Sequence, residues 1–542
     1  MTKILETMDL IDSLLHPKIS GTNLGTTSGV TLGTALATSD SPLNLDDVRV
    51  DPKWSSKVPA AIAIRRKLLP LCAVNERVVV ATNFALDPTI ERSLTKFFGA
   101  TFTTVSAEPE SLQRAITRIY GTLATSFNAE KQRRLDRDPN NEDHSNRSIS
   151  LCDEMIQAAV LQNASDIHLL PLETSLKIQF RIDGVLETYR DTSIEAQHGL
   201  INRLKVMADL DIAEKRFPQD GSFTCHVGRS VPKIDVRIAT LPTRFGERVT
   251  LRLLGSGRNL TISGLGMQRD DQKAFESALA RPHGLVLLTG PTGSGKSTTL
   301  YAAISELLRS KRGNIITVED PIEYEMPGVS QVEVDSSDKI GFSKALRSLL
   351  RHDPDVIMIG EIRDAETANV AMKASLTGHL VLSTLHTNTA VGVVNRLVDM
   401  GVERFMVAAT LQLAVAQRLV RKLCTHCRKP RTLSATEYEA FRGDDLTDEL
   451  TNNLPGATVY DAAGCVYCAG RGYAGRIALF EMMSCNEQLS AEIARGVVEH
   501  QLWASSQSMR TSSLANDAIA KLLAGETTVR EVLSAVDRWA QP

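Results

Sequence analysis

One segment of the chain has the glycine spacing that binds nucleotide phosphates. Residues 290–297 read Gly-Pro-Thr-Gly-Ser-Gly-Lys-Ser, which matches G-x-x-x-x-G-K-[ST]. The segment follows an apolar run, Leu285–Thr289, and precedes an amphipathic pattern, Ser297–Leu308. Glycines let backbone N–H groups turn towards a phosphate, and a helix N-terminus adds positive potential. A purely structural glycine-rich turn is the alternative, and the strand–loop–helix order argues against it.

This loop predicts a binding site for ATP and Mg²⁺. We expect Lys296 to reach the β- and γ-phosphates and the Ser297 hydroxyl to ligate Mg²⁺. The predicted nucleotide-binding residues of the loop are Gly290, Pro291, Thr292, Gly293, Ser294, Gly295, Lys296, Ser297 and Thr298.

Two acidic residues follow the next strand-like runs. Glu319 comes after Asn314–Val318, and Glu361 comes after Val356–Ile359. Because ligands of an open α/β sheet bind at the carboxyl ends of its strands, both acids are expected to face the loop. One should hold the Mg²⁺ shell, for which Glu361 is the candidate, and the other should orient the attacking water. The sequence leaves open which acid is the general base, and a helix N-cap or a surface charge is the alternative for each.

A histidine ends the fourth strand-like run of the same region. His386 directly follows Leu380–Leu385. The same strand-end argument predicts that its imidazole lies near the γ-phosphate and senses hydrolysis, and a structural histidine is the alternative.

Half of the cysteines are paired in a metal-binding pattern. A C-x2-C…C-x2-C arrangement in a chain without secretory features predicts a tetrahedral structural zinc site. Four free thiols are the alternative, and His426 is a candidate to replace one ligand. The predicted ligands are Cys424, Cys427, Cys465 and Cys468, and the remaining cysteines, Cys72, Cys152, Cys225 and Cys485, are expected in cores.

The composition is that of a globular protein with several domains. Its 542 residues include 61 Lys and Arg and 64 Asp and Glu, a formal net charge of −3. These values exclude a wholly disordered chain and disfavour a nucleic-acid coat protein. No apolar stretch reaches the roughly 18 residues of a membrane span, and the first residues are acidic where a signal peptide is apolar. We therefore expect a cytoplasmic protein.

Polarity and hydrophobic periodicity divide the chain into parts of an α/β fold. Short apolar runs alternate with helical stretches over residues 259–423, which predicts a largely parallel, doubly wound sheet. The predicted parts are a flexible segment (1–49), a small α/β domain (50–120), a linker (121–148), a second α/β domain (149–258), the nucleotide-binding domain (259–423), a tetracysteine zinc module (424–475) and a C-terminal helical region (476–542).

In order and spacing, these motifs resemble those of the secretion and pilus traffic ATPases. The segments Gly290–Ser297, Thr317–Glu323, Gly360–Asp364 and Thr377–Asn388 are similar to the Walker A motif, Asp box, atypical Walker B motif and His box of that superfamily. The resemblance covers about residues 149–535. It implies a RecA-like P-loop motor, preceded by a PAS-like α/β domain and a small recruitment domain.

The resemblance also gives four arginines a role at the nucleotide. In this family, arginines placed like Arg237 and Arg252, and like Arg347 and Arg351, contact phosphates from the partner domain or the neighbouring subunit. A guanidinium group can neutralise charge that develops on a transferred phosphoryl group. The i, i+4 spacing of Arg347 and Arg351 predicts one helix face. Surface or salt-bridging arginines are the alternative.

The implied function is a ring-forming ATPase, most simply a homo-hexamer, that powers pseudopilus assembly and protein export in type II secretion. Its expected partners are inner-membrane platform proteins, through which it associates peripherally with the membrane. Pilus retraction and type IV secretion ATPases lack the tetracysteine module, whereas pilus assembly ATPases usually have it. The sequences of Ala374–His379 and Ala416–Arg421 resemble the type II secretion ATPases more closely. A type IV pilus assembly ATPase is the alternative function.

Two further alternatives belong to other classes of protein. A DNA-translocating ATPase would need a basic channel, and no nucleic-acid partner is expected at this net charge. The second is a nucleotide-binding scaffold that has lost activity. The presence of Lys296 and Ser297, together with the acids Glu319 and Glu361, argues against it. Some relatives bind cyclic di-GMP at the small N-terminal domain through repeated Arg-Leu-Gly segments. Residues 50–120 lack that pattern, so we predict no cyclic di-GMP binding.

Overall fold

The chain divides into two compact units and passes between them several times. The computed structural model describes residues 42–120, 143–225, 233–254, 260–334, 341–441, 446, 448–507 and 513–536. The N-terminal unit comprises Met1–Ser256, Leu423–Lys429 and Asp461–Gly475. The motor unit comprises Gly257–Lys422, Pro430–Tyr460 and Arg476–Pro542.

A three-stranded sheet with helices packed on it forms the first domain of the N-terminal unit. Strand β1 runs antiparallel to β2, and β3 runs parallel to β2. The elements are α1 (Pro52–Ser55), α2 (Ala60–Arg65), β1 (Leu68–Val74), β2 (Arg77–Thr82), α3 (Pro88–Phe98), β3 (Phe102–Ser106) and a helix, α4, over residues 109–120.

The predicted start of this domain at residue 50 is wrong, because the described chain already packs into its core from residue 43. Leu43 forms a β-bridge with Ala107, and Leu45 is fully buried. The backbone N–H of Leu45 donates to Ser111 Oγ at 3.1 Å. The few apolar residues here follow a long Gly-, Ser- and Thr-rich stretch, whose composition concealed them. Residues 1–41 of the predicted flexible segment lie outside the described residues.

The second domain is a six-stranded antiparallel sheet with two helices. The strand order is β6-β5-β4-β9-β8-β7, and every neighbouring pair is antiparallel. Burial alternates residue by residue along β5, as expected when one face of a sheet is covered. The elements are α5 (Asp143–Leu161), β4 (Ala164–Pro171), β5 (Ser175–Ile182), β6 (Val185–Ser193), α6 (Ile194–Met207), β7 (Gln219–Cys225), β8 (Ile234–Thr243) and β9 (Gly246–Leu254).

The predicted linker is too long at its C-terminal end. Helix α5 begins at Asp143, although polar residues up to 148 suggested a linker. Apolar residues enter the helical pattern only from Ile149, so the polar first turns carried no periodic signal. The remainder of the predicted linker, residues 121–142, lies outside the described part of the chain.

The motor unit contains the predicted parallel sheet. Its seven strands have the order β12-β11-β13-β14-β10-β15-β18. Five neighbouring pairs, from β12–β11 through β10–β15, are parallel. Every residue of β10 and β14 is buried, as expected for parallel strands covered on both faces. The strands are β10 (Gly284–Thr289), β11 (Ile315–Glu319), β12 (Ser330–Glu333), β13 (Val356–Ile359), β14 (Leu380–Leu385), β15 (Leu411–Leu423) and β18 (Tyr473–Ser484).

Two predicted boundaries after residue 423 are wrong. The C-terminal part begins with β18, a strand of the motor sheet, and not with a helix. Residues 430–460 of the predicted zinc module belong to the motor unit, where Leu433 and Phe441 share a core with Ile519 and Leu522. The module itself is therefore reduced to residues 423–429 and 461–475 of the N-terminal unit. This partition depends on apolar contacts between distant segments, which cysteine spacing does not encode.

Helices complete the motor unit. No helix in the described part of the chain is both long enough and apolar enough to span a membrane. A two-stranded sheet pairs β16 (Lys429–Thr432) with β17 (Thr458–Asp461). The helices are α7 (Arg269–Ala280), α8 (Lys296–Arg309), α9 (Phe342–Leu349), α10 (Ala365–Leu376), α11 (Gly392–Asp399), α12 (Arg404–Thr410), α13 (Ala435–Phe441), α14 (Asp448–Asn453), α15 (Glu487–Arg495), α16 (Glu499–Gln507), α17 (Leu514–Leu523) and α18 (Val529–Ala535).

Candidate functional site

The predicted phosphate loop connects β10 to α8. Gly293 and Gly295 have φ angles of 80° and 89°, which glycine adopts without strain. A Cβ atom at Gly290 would lie 2.4 Å from the backbone oxygen of Gln417, so a side chain is excluded there. The Ser294 hydroxyl is buried and has no hydrogen-bond partner among the described residues. The loop therefore has the backbone freedom and an available polar group that phosphate binding requires.

Lys296 is the first residue of α8, and its side chain lies over the loop. Its Nζ donates to the backbone oxygens of Gly290 at 2.7 Å and Pro291 at 3.2 Å. Burial lowers the pKa of Lys296, and the nearby Glu361 carboxylate opposes this shift. The charge of Glu361 thus acts on the Lys296 ammonium group.

Glu361 and His386 meet where two neighbouring strands end. They follow β13 and β14, which are paired in parallel, and His386 Nε2 lies 3.1 Å from Glu361 Oε2. This agrees with the strand-end argument that predicted both residues. Burial raises the pKa of Glu361, but hydrogen bonds from Arg363 and His386 outweigh it and hold the pKa below its usual value. Glu361 is therefore an ionised carboxylate close to the phosphate loop.

The sequence prediction missed Arg363 as a member of this group. Arg363 forms an ion pair with Glu361, and its Nη1 lies 3.5 Å from Asp320 Oδ2. It therefore connects the residues that follow β13 with those that follow β11. Its position two residues after Glu361, within the Walker B-like segment, was the available signal.

Glu319 occupies a different environment, although it also ends a strand. Its side chain is 3% exposed and accepts hydrogen bonds from Thr317 Oγ1 at 2.6 Å and Gln331 Nε2 at 3.1 Å. The Tyr301 hydroxyl donates a short hydrogen bond to the same carboxylate and accepts one from the backbone N–H of Glu323 at 3.1 Å. The carboxylate of Glu319 is thus held inside a polar network, whereas that of Glu361 is paired with Arg363 and His386.

Arg347 and Arg351 do not share a helix face as predicted. Helix α9 ends at Leu349, and Arg351 follows it in a turn. Asp353 has a φ of 51° and precedes a proline, and a pre-proline residue disfavours the helical conformation, so the helix stops early. Arg347 Nη2 lies 2.5 Å from Glu366 Oε1, and Arg351 Nη1 donates to the backbone oxygen of Arg347 at 3.0 Å.

Arg237 and Arg252 lie opposite each other in the N-terminal unit. They are cross-strand partners in the β8–β9 pair. Arg252 is largely exposed, and its Nε donates to Asp166 Oδ1 at 3.1 Å. The two arginines thus belong to one region of the second domain, where Asp166 offsets the charge of Arg252.

The four predicted zinc ligands converge at one buried point. Their sulfur atoms all lie within 4.8 Å of one another. Sγ–Sγ distances of 3.8 Å separate Cys424 from Cys465, Cys427 from Cys468, and Cys465 from Cys468. A tetrahedral zinc ion with Zn–S bonds of about 2.3 Å requires sulfur separations of about 3.8 Å. The donor set and its dimensions therefore fit zinc.

Backbone groups around these sulfurs favour a thiolate. The N–H groups of Cys465 and Gly472 donate to Cys468 Sγ at 3.2 and 3.1 Å. Hydrogen bonds from Cys424 and the other two thiols, together with the Cys465 N–H, lower the pKa of Cys468. His426, the alternative ligand, stacks on Tyr467 with ring centroids 3.8 Å apart. Four sulfurs thus complete a tetrahedral set without it.

A parallel sheet with a phosphate loop, an adjacent lysine and an ionised carboxylate at the strand ends defines a P-loop nucleoside triphosphatase. The chain matches the family "Type II/IV secretion system protein" over residues 141–534 and the "MshEN domain" over residues 35–126. The chain belongs to the type II/IV secretion system protein family and is an ATPase.

Two relatives show its position in this family. "Type II secretion system protein E" of Pectobacterium carotovorum subsp. carotovorum is 46% identical over 386 residues, which cover 71% of this chain and 75% of that protein. "Type IV pilus assembly ATPase PilB" of Myxococcus xanthus is 42% identical over 394 residues, which cover 72% and 68%. The similarity is thus higher to the type II secretion protein.

A solved structure shares the fold. The ATPase DotB of Legionella pneumophila superposes with a TM-score of 0.52 at 23% identity, covering 71% of this chain and 94% of DotB. This likeness supports the fold alone. The prediction that residues 50–120 do not bind cyclic di-GMP stays a prediction.

Proposed function

We propose that this protein is the ATPase that powers type II secretion. It would act as a homo-hexameric ring on the cytoplasmic side of the inner membrane, held there by platform proteins, and drive assembly of a pseudopilus. The observation that carries the hydrolytic part is the contact of Glu361 with His386 and Arg363, next to Lys296 of the phosphate loop. The proposed role in type II secretion rests on the higher sequence identity to a type II secretion protein than to a pilus assembly ATPase.

In this proposal the phosphate loop holds ATP, and Lys296 exchanges its two backbone acceptors for the β- and γ-phosphates. Ser297 and Glu361 would hold Mg²⁺, which offsets phosphate charge when it is bound. Glu361 is the acid best placed to act at the nucleotide, because it is ionised and influences Lys296. His386, hydrogen-bonded to Glu361, would report the loss of the γ-phosphate to β14.

Glu319 is a positioning residue in this proposal. To reach the nucleotide it would have to leave Thr317, Gln331 and Tyr301, which hold its carboxylate. Its network instead fixes the end of β11 and the residues after it, including Asp320, which Arg363 connects to Glu361. Glu319 would thus act on the reaction through the placement of Arg363.

The four arginines stay candidates for contacts with phosphates. The ion pairs of Arg252 with Asp166 and of Arg347 with Glu366 would have to open or adjust for such contacts. Arg237 and Arg351 are proposed for the same role through their proximity to these two. ATP-dependent protection of each arginine from a dicarbonyl reagent would identify those that contact nucleotide.

Two measurements test the proposed function. A strain without the chain should lose export of secreted hydrolases and regain it with the wild type but not with Lys296→Ala; lost surface pili with normal export would instead support pilus assembly. ATP turnover of the purified protein should be insensitive to DNA. Strong stimulation by DNA would support the translocase alternative.

A further inference from the structure

We propose that the tetracysteine module, residues 423–429 and 461–475, is the docking surface of the first domain, and that its zinc ion keeps the two docked. The metal would then serve to attach a domain, in addition to holding its own loops. The inference concerns contacts within the N-terminal unit and does not depend on what the motor drives.

The apolar contact between the two is a shared core. Cys465 and Cys468, both fully buried, belong to the same cluster as Leu71 and Cys72 of β1. Tyr467, Ala469 and Ala474 of the module pack against this cluster. The cysteines are therefore surrounded by the first domain as well as by their own loops.

The closest approach is at Gly470. Its φ is 80°, and a Cβ atom there would lie 2.7 Å from the backbone oxygen of Ala73 in β1. Backbone atoms cannot move aside as the end of a flexible side chain can. Gly470 thus lets the module lie directly against the edge of the domain, and this contact can be broken by one methyl group.

Polar contacts extend the junction to the second domain. Arg471 Nε donates to Glu187 Oε1 at 2.9 Å. Asp183 receives the backbone N–H of Gly475 at 3.0 Å, and Arg49 of the first domain lies 3.5 Å from the same carboxylate. The turn between β5 and β6 is thus held by both the module and the first domain.

Metal binding would determine whether this surface exists. Each cysteine pair lies in a short segment, and the 3-10 turn Val466–Cys468 is only three residues long. Such segments hold their shape poorly alone, so in small zinc sites the binding free energy of the ion is largely folding free energy. The chain leaves the module as β18, which begins at Tyr473.

The test compares two alanine substitutions in the full-length protein. Gly470→Ala and Gly475→Ala carry similar backbone strain, since the φ angles are 80° and 86°. At Gly475, however, no atom of the described part of the chain lies within 4 Å of a Cβ atom. Both variants should keep about one zinc ion per chain. Hydrogen exchange of β1 and thiol labelling of Cys72, read by peptide mass, should accelerate about tenfold in Gly470→Ala and stay unchanged in Gly475→Ala.

A second measurement needs no substitution. Chelation of zinc from the wild type should expose Cys72 and accelerate exchange in β1 while the exchange of β2 changes less. Zinc-free protein with full protection of Cys72 would overturn the role of the metal. Equal labelling of Cys72 in the two zinc-loaded glycine variants would overturn the docking surface.

Discussion

Two regions are assembled in opposite ways: the tetracysteine module and the candidate hydrolysis site, which comprises Lys296, Glu361, Arg363 and His386. The hydrolysis site gathers residues from the ends of adjacent parallel strands in one sheet, so each motif lies beside a strand that the sequence reveals. The module gathers two short segments, and the chain between them, Pro430–Tyr460, folds into the other unit. A motif identifies the chemical groups in both regions. A motif also predicts the surroundings of those groups only where the topology of a sheet determines which residues are neighbours.

This contrast also separates the two acids of the motor. Glu361 follows β13 in the middle of the sheet and is paired with Arg363 and His386. Glu319 is the last residue of β11, the neighbour of the edge strand β12, from which Gln331 donates to its carboxylate. Two strand-end acids with the same local signature therefore have different environments, which the following substitutions test.

The largest expected effect is at Glu361. Glu361→Gln keeps the shape of the side chain but removes the charge that would act at the nucleotide and on Lys296, so turnover should fall about 10²–10⁴-fold while ATP still binds. Turnover and binding of a fluorescent ATP analogue measure the two separately. Glu276→Gln, an exposed change on α7, should alter neither. Near-normal turnover of Glu361→Gln would remove Glu361 from the catalytic group.

A large loss of bound zinc is expected when a cysteine of the tetracysteine module is replaced. Cys465→Ser removes one of four ligands, so bound zinc should fall from about one ion per chain to a small fraction. Metal analysis of purified protein measures this directly. The control is Cys485→Ser, a buried cysteine of the motor unit, which should retain the metal. A zinc-loaded Cys465→Ser protein would contradict the four-sulfur site and reopen the alternative at His426.

The sequence predicted the parts of the fold that have a local signal. Strands β13 and β14 have the predicted bounds, β10 begins one residue earlier than predicted, and β11 is shifted by one residue. Short apolar runs bounded by motif residues are distinctive. The sequence did not predict strand β18. Residues 477–483 of this strand are all buried, so its sequence has no alternation of buried apolar and exposed polar residues. Such a run is ambiguous between strand and helix.

Tyr301 was missed because its role depends on tertiary structure, whereas Arg363 stands within a motif that the sequence shows. Tyr301 lies in the helix after the phosphate loop, where an aromatic residue is typical of a core, and only the tertiary structure brings its hydroxyl to Glu319. The buried leucines before residue 50 and the division of the zinc module likewise depend on contacts between distant segments. Cysteine spacing and loop motifs carry no information about such contacts.

An intermediate effect is expected at Arg363. Burial raises the pKa of Glu361 and the Arg363 hydrogen bond lowers it, so Arg363→Met should raise that pKa. The carboxylate would then protonate as the pH falls through a higher value, and the acidic limb of turnover should move to higher pH. Turnover is measured down to pH 4 or below, because the pKa of Glu361 in the wild type lies below the usual 4.5. Arg309→Met is an exposed control. If the acidic limb of turnover in Arg363→Met stayed at the wild-type pH, Arg363 would not control the protonation of Glu361.

The smallest effect is expected at Tyr301, and it decides between the two acids. Tyr301→Phe removes one hydrogen bond from Glu319, but Thr317 and Gln331 still hold the carboxylate, so turnover should fall only about fivefold. Tyr324→Phe is the matched control, since its ring packs edge-on against Tyr301 at 5.3 Å. If Glu319 only positions other groups, the variant should keep the wild-type pH profile, because the charge next to Lys296 is unchanged. If Tyr301→Phe instead raised turnover, the hydroxyl would be restraining Glu319, and Glu319 would be the acid that acts at the nucleotide.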